Sequence, residues 1–184
     1  MSTILVVSGS PSATSRTAAL GEHIAGRLDG LGHRVRTVRV RDLPPAALLS
    51  ADPTDPAVAD VVTAIERADG LVVASPVYKA AYSGVLKTLL DLLPQFALAG
   101  KVVLPLVTGG TPAHVLAIDY ALRPVLSSLG ADHIMPGWFV LDRHIEYADP
   151  SGVRVAPDSA GPLYQVVDAF SAALHARPVL AAAR

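Results

Sequence analysis

Short unbroken apolar runs alternate with longer stretches in which apolar residues return every three or four positions, and this rhythm repeats along the whole chain. Thr3 to Ser8 is an apolar run of strand length, followed by a hydroxyl-rich loop and then Leu20, Ile24, Leu28 and Leu31 at helical spacing. Gly32-His33 ends that helix, and Val35, Val38 and Val40 among Arg34, Arg36, Arg39 and Arg41 predict a second strand with a partly wet surface. Val58, Val61, Val62 and Ile65 mark a second helix. Asp69 to Ala74 is too brief for a helix and is bounded by turn residues, so Gly70 to Ser75 reads as a fully buried third strand. A leucine-rich third helix is predicted from Ser83 to Leu93, and a fourth strand from Lys101 to Val107. Val115, Ile118, Leu122, Val125, Leu126 and Leu129 predict a fourth helix, and His133 to Leu141 a fifth strand interrupted at Pro136-Gly137. Leu163, Val166, Val167, Phe170 and Leu174 predict a fifth helix.

Five strands alternating with five helices imply a parallel sheet covered on both faces, with right-handed crossovers. The expected fold class is α/β: a flavodoxin-like, doubly wound, five-stranded sheet of order 2-1-3-4-5. Its ligand site falls at the switch point between strands one and three. No repeat or low-complexity linker divides the chain, so residues 1–184 are expected to form one domain. Asp142 to Pro162 reads as a polar connection, and the Ala-rich tail over 177–184 as frayed.

Charge and composition narrow the function. Fifteen Lys and Arg against sixteen Asp and Glu leave a net charge of −1, which gives no electrostatic reason for a nucleic-acid or anionic-membrane partner. The same balance argues against an acidic carrier that docks by charge. With no cysteine there is no disulfide, thiolate metal site or cysteine nucleophile. Ile4 to Val7 is too short for a signal peptide and has no basic leader, and no run approaches a membrane span, so the expected location is cytoplasmic.

Three loops at one edge of the predicted sheet carry the candidate chemistry. The first, Ser8 to Thr17, supplies hydroxyls, amides and Arg16 beside a helix N-terminus, which suits a terminal phosphate. It lacks the glycine spacing of a dinucleotide or nucleoside-triphosphate loop, so a phosphate monoester fits better; the same hydroxyls also suit simple helix capping. In the second, Tyr78 and Tyr82 beside Pro76 and Val77 offer flat amphipathic surface for an aromatic ring, or for core packing. In the third, Thr108 to His114, two glycines allow close backbone approach, and the following helix suits charge developing at the edge of a reduced flavin. His114 is either an assisting residue or a cap.

These residues resemble the NAD(P)H-dependent FMN reductase family, and particularly SsuE-type reductases of two-component alkanesulfonate monooxygenase systems. The resemblance covers most of the chain and rests on four blocks: GSP with SRT over 9–17, ADGLVVASPVYKAAYSGVLKTLLDLLP over 68–94, GKVVLPLVTGGTPAH over 100–114 and DYALRPVLSSL over 119–129. Val77 and Lys79 depart from the wider family's pattern of Glu followed by Tyr-Asn after Ser-Pro, but fit the sulfonate-associated branch. The resemblance implies that Ser10, Ser15, Arg16 and Thr17 hold the FMN phosphate. It places Pro76, Val77, Tyr78, Lys79, Tyr82 and Ser83 along one side of the isoalloxazine, and Thr108, Gly109, Gly110, Thr111 and His114 at the other edge. Tyr120 matches an extra residue of that branch, which loosens helix four into a π-type turn near the flavin and subunit contacts.

The implied activity is hydride transfer from NADPH, with NADH as a possible donor, to FMN, whose reduced form leaves for a partner monooxygenase. The cofactors carry the chemistry, so no residue is assigned as an obligatory acid or base. The broad apolar faces of helices three and four imply a homodimer or homotetramer. A quinone or azo reductase that retains FMN, an electron carrier without nicotinamide, and a non-enzymatic binder are the competing readings.

Overall fold

Leu5 and Val7 face one core while Ile4 and Val6 face another, so the first strand lies between two helical layers. The computed structural model describes residues 1–148 and 152–176. Its parallel strands are β1 (Thr3–Ser8), β2 (Arg34–Arg39), β3 (Gly70–Tyr78), β5 (Val102–Gly109), β6 (His133–Ile134) and β7 (Trp138–Leu141). The order β2-β1-β3-β5-β6, with β7 continuing beside β5, is the expected doubly wound arrangement. Helix α1 (Arg16–Gly30) and helix α6 (Pro157–Ala176) cover one face. The other is covered by α2 (Pro45–Leu49), α3 (Pro56–Arg67), α4 (Gly84–Leu90) and α5 (Arg123–Ser128). Leu86 and Leu89 of α4 are fully buried, each contributing roughly 1.5–3 kcal/mol of transfer free energy. Among the described residues no helix is long and apolar enough to cross a membrane.

The break in the fifth strand has a cause in its neighbour. The Val103 carbonyl accepts from the Met135 amide at 2.8 Å, so Pro105, two residues on, turns the same way and has no N–H to offer. Between the pairs Val103–Ile134 and Leu106–Trp138 the outer strand carries one residue more than β5. Gly137 absorbs it at φ +81°, where a Cβ would stand 2.6 Å from the Pro105 carbonyl oxygen.

The π-type turn that the resemblance implied around Tyr120 is present as a π-helical turn (Ile118–Leu122), and two expectations are corrected. The fourth helix, read from Val115 to Leu129 by its spacing, is not one regular α-helix: a 3₁₀ turn (Pro112–His114) and that π-helical turn precede α5. The Arg123 amide reaches back to the Ile118 carbonyl, five residues away, and Pro124 has no amide with which to restore the α pattern. The connection over 142–162 is also structured. It holds a 3₁₀ turn (Asp142–His144), an antiparallel pair of β8 (Ile145–Ala148) and β9 (Gly152–Val155), and the start of α6. Buried Ile145, Val153 and Val155 seat the pair against α1 and α6. The expected frayed tail over 177–184 lies outside the described residues.

Candidate active site

Ser15, in extended backbone, accepts from the Ala18 amide at 3.0 Å and starts α1. The amides of Arg16 and Thr17 fall in the first turn, where the helix has no carbonyl for them, and the helix dipole favours an anion there. Ahead of the helix, the Gly9 amide donates to the Ala74 carbonyl at 2.8 Å and the Ser12 amide to Ser10 Oγ at 3.4 Å. Gly9 is required by contact: a Cβ would stand 2.4 Å from Leu86 Cβ.

The second loop is a hairpin. Val77 and Tyr78 at the end of β3 pair with Tyr82 and Ala81 of the short antiparallel β4 (Ala81–Tyr82). Lys79 and Ala80 make the turn with φ of 49° and 65°, both left-handed without glycine. Ser75 braces the base, its hydroxyl donating to the Pro76 carbonyl and accepting from the Ser83 amide, both at 2.9 Å. Ser83 then caps α4 by accepting from the Leu86 amide at 3.1 Å. Half-buried Tyr82 has its phenol pKa pushed up, chiefly by burial.

Behind these loops Thr17 Oγ1 and Thr108 Oγ1 lie 2.7 Å apart. Arg16 spends Nε on the Ile145 carbonyl at 3.2 Å, and its other guanidinium nitrogens have no partner among the described residues. A cleft of about 180 Å³ opens at the ends of β1, β3 and β5. Its walls hold Ser10, Ser15, Arg16 and Thr17 from the first loop, Pro76, Val77 and Tyr78 from the second, and Thr108, Gly109 and Gly110 from the third. Lys79, Tyr82, Ser83, Thr111 and His114 stand outside this wall. Ser83 is buried as a cap, and His114 sits in the 3₁₀ turn with its amide bonded to the Thr111 carbonyl at 3.3 Å. Tyr120 lies in the π-helical turn, 80% exposed.

Ser12, Thr14 and Asp142 complete the wall without having been singled out in the sequence. The first two lie in the hydroxyl-rich loop already recognised; Asp142 stands at the carboxyl end of β7, a position that doubly wound topology alone makes a candidate. A larger hollow of about 920 Å³ follows the flank of α1. Most of its polar groups are already matched: Arg27 with Asp168, His23 with Tyr164, and Arg39 with Glu22. Among the described residues no cluster suits a metal ion.

The three-loop cleft combines groups of the kind that bind a phosphate with the flat surface of Tyr78. Its lining supplies hydroxyls, Arg16 and the first turn of α1, which suit a phosphate, and Gly110 adds no side chain to the wall. A family described as NADPH-dependent FMN reductase matches residues 2–146. The chain is 46% identical over 177 residues to FMN reductase (NADPH) of Escherichia coli strain K12, covering 96% of this chain and 92% of the relative. It is 38% identical over 182 residues to NADH-dependent FMN reductase SfnF of Pseudomonas putida, covering 92% of this chain and 96% of that protein. Among solved structures, the apo form of NADH:FMN oxidoreductase (EMOB) superposes with a TM-score of 0.88 at 44% identity, covering 97% of this chain and 92% of that one.

Proposed function

The chain belongs to the NADPH-dependent FMN reductase family, and from that premise we propose that it oxidises NADPH, accepts NADH as a second donor, and hands reduced FMN to a separate FMN-dependent monooxygenase. Sulfonate desulfonation is the proposed purpose of that monooxygenase. The observation that carries this reading is the open cleft at the ends of β1, β3 and β5, where Tyr78 is half exposed and Gly110 contributes no side chain. Such a site admits a second ring against the first and lets the flavin leave.

FMN bound here supplies the hydride acceptor for a reduced nicotinamide. Ser10, Ser15, Arg16 and Thr17, with the first-turn amides of α1, hold its phosphate in this proposal. Pro76, Val77, Tyr78, Lys79, Tyr82 and Ser83 form or brace the shelf along the ring. Thr108, Gly109, Gly110, Thr111 and His114 form the opposite edge, where backbone amides favour negative charge.

Self-association is part of the proposal, with its surface revised. Of the residues expected on the intersubunit faces of helices three and four, Leu86, Leu89, Leu92, Leu93, Ile118, Leu122 and Leu126 are buried in the chain's own core, Val85 is partly buried against it, and Leu116 stays exposed. Val115, Leu116 and Tyr120 stay 48%, 57% and 80% exposed around the π-helical turn, and a dimer or tetramer is proposed through them. The cytoplasm, where nicotinamide donors are plentiful, is the proposed location.

The test mixes flavin-stripped protein with NADPH, then with NADH, at rising free FMN while absorbance is followed. Saturable oxidation that requires added FMN is expected. Turnover with a retained flavin and a strong preference for quinone would move the reading to a quinone or azo reductase. Bound FMN with no oxidation of either donor would move it to an electron carrier.

A further inference from the structure

The hydroxyls of Thr17 and Thr108 meet across β3, one in the first turn of α1 and the other near the end of β5. They are 3% and 1% exposed, lie 91 residues apart in the chain, and both line the cleft. Two hydroxyls carry two protons, and the contact between them uses one. The second proton has no acceptor among the described residues. A buried donor of this kind is costly to leave unmatched, so the pair is poised to donate once more.

We infer that Thr108 is a positioning residue for the FMN phosphate: it donates to Thr17 and thereby commits the Thr17 proton to the phosphate. The inference rests on reading the cleft as the FMN site. An anion beside the first-turn amides of α1 attracts the free proton to Thr17, which sets this polarity over the reverse one. A hydroxyl that already accepts a hydrogen bond is a stronger donor. Thr108 belongs to the strand whose loop serves the ring edge, yet by this route it helps distinguish a phosphorylated flavin from one without phosphate.

The measurement is the ratio of riboflavin Kd to FMN Kd, read by flavin fluorescence on stripped protein. Thr108→Val is expected to lower that ratio about threefold or more, while Thr108→Ser holds it near the parent value. In the pair Thr17→Val and Thr17→Val/Thr108→Val, the double variant is expected to lose no more of the ratio than the single. Should the valine variant fold poorly by circular dichroism, Thr108→Ala gives the same comparison. Equal weakening of both flavins, an unchanged ratio, or additive losses in the double variant would overturn the inference. Failure of the parent protein to bind flavin would overturn it together with the reading of the cleft. FMN binding without nicotinamide oxidation would count against the reductase reading alone, because the ratio needs no turnover.

Discussion

The Ser83 hydroxyl donates to the Gly9 carbonyl while accepting the Leu86 amide, so one side chain both starts α4 and fastens the loop that follows β1. Ser83→Ala removes a cap and a buried tether together, with an expected loss of about 2 kcal/mol of stability and weaker FMN binding. Urea unfolding and an FMN titration check the two effects. A parent-like unfolding midpoint would show that the tether contributes nothing.

Gly9→Ala acts on the same junction from the other side. Its Cβ would press on Leu86, whose Cβ and backbone Cα lie 2.4 and 3.0 Å away, so the loop must move. The expected result is an FMN Kd raised by about tenfold or more, since a small displacement of binding groups is amplified in the ligand. The same titration decides it, with parent-like affinity as the contrary result.

The sequence was most readable where burial is complete on both faces of the sheet. Ile4 to Val7, Leu71 to Ala74 and Val102 to Leu104 are unbroken apolar runs because helices cover them above and below. The interruption of the fifth strand was legible too at Pro136-Gly137, but the extra residue there showed only in the pairing with β5. The π-helical turn was hidden from periodicity because Ile118, Leu122 and Leu126 keep four-residue spacing through it; it came only from the resemblance. The pair β8 and β9 escaped because it is short and wet on one face, with Glu146 and Arg154 opposite each other there. Asp142 escaped with it, since its place in the wall depends on where β7 ends. Ser83 shows the converse: its motif was clear, but its buried role as a cap needed the positions of Gly9 and Leu86.

The left-handed pair in the hairpin gives a stability prediction. An L-residue in this region costs about 1–2 kcal/mol, and glycine relieves most of that at some entropic cost. Ala80, at φ 65°, is therefore expected to gain roughly 0.5–1 kcal/mol on replacement by glycine. Calorimetry should find Tm raised by about 1–4 °C. A lower Tm would mean that the Ala80 methyl is held by favourable contacts.

Acidification should destabilise the fold through His33. It is buried, with Nδ1 accepting from the Ser2 amide at 3.4 Å, Nε2 2.8 Å from Ser171 Oγ, and its ring stacked on His175 at 5.0 Å. Burial first, then His175 and the N-terminal ammonium, hold its pKa below the ordinary value. The unfolded chain therefore takes up this proton first as pH falls. The stability contributed is complete above about pH 6.5 and is lost as pH drops through the lowered folded value. Urea midpoints should fall from about pH 7 to pH 5, and His33→Gln should flatten the slope. His23, lowered by burial and then by Arg27, leaves a residual slope of the same sign. A steeper slope in the variant would contradict the assignment.

Replacing Tyr120 by alanine, or deleting it, is predicted to tighten FMN retention severalfold and slow turnover of free flavin. The motive is its exposed place in the π-helical turn, beside Leu116 on the proposed subunit surface. Gel filtration alongside FMN retention and turnover provides the check. Unchanged retention and turnover would remove the idea.

That turn also changes how the chain tolerates a change of length. In a regular helix each added residue advances the downstream faces by about 100°, enough to rotate a buried leucine toward water. Here the extra amino acid is taken up within Ile118–Leu122, so Ile118 before it and Leu126 after it both still point into the core. The segment works as a phase buffer: its extra amino acid can be lost at the exposed crest while the flanking apolar surfaces keep their bearing.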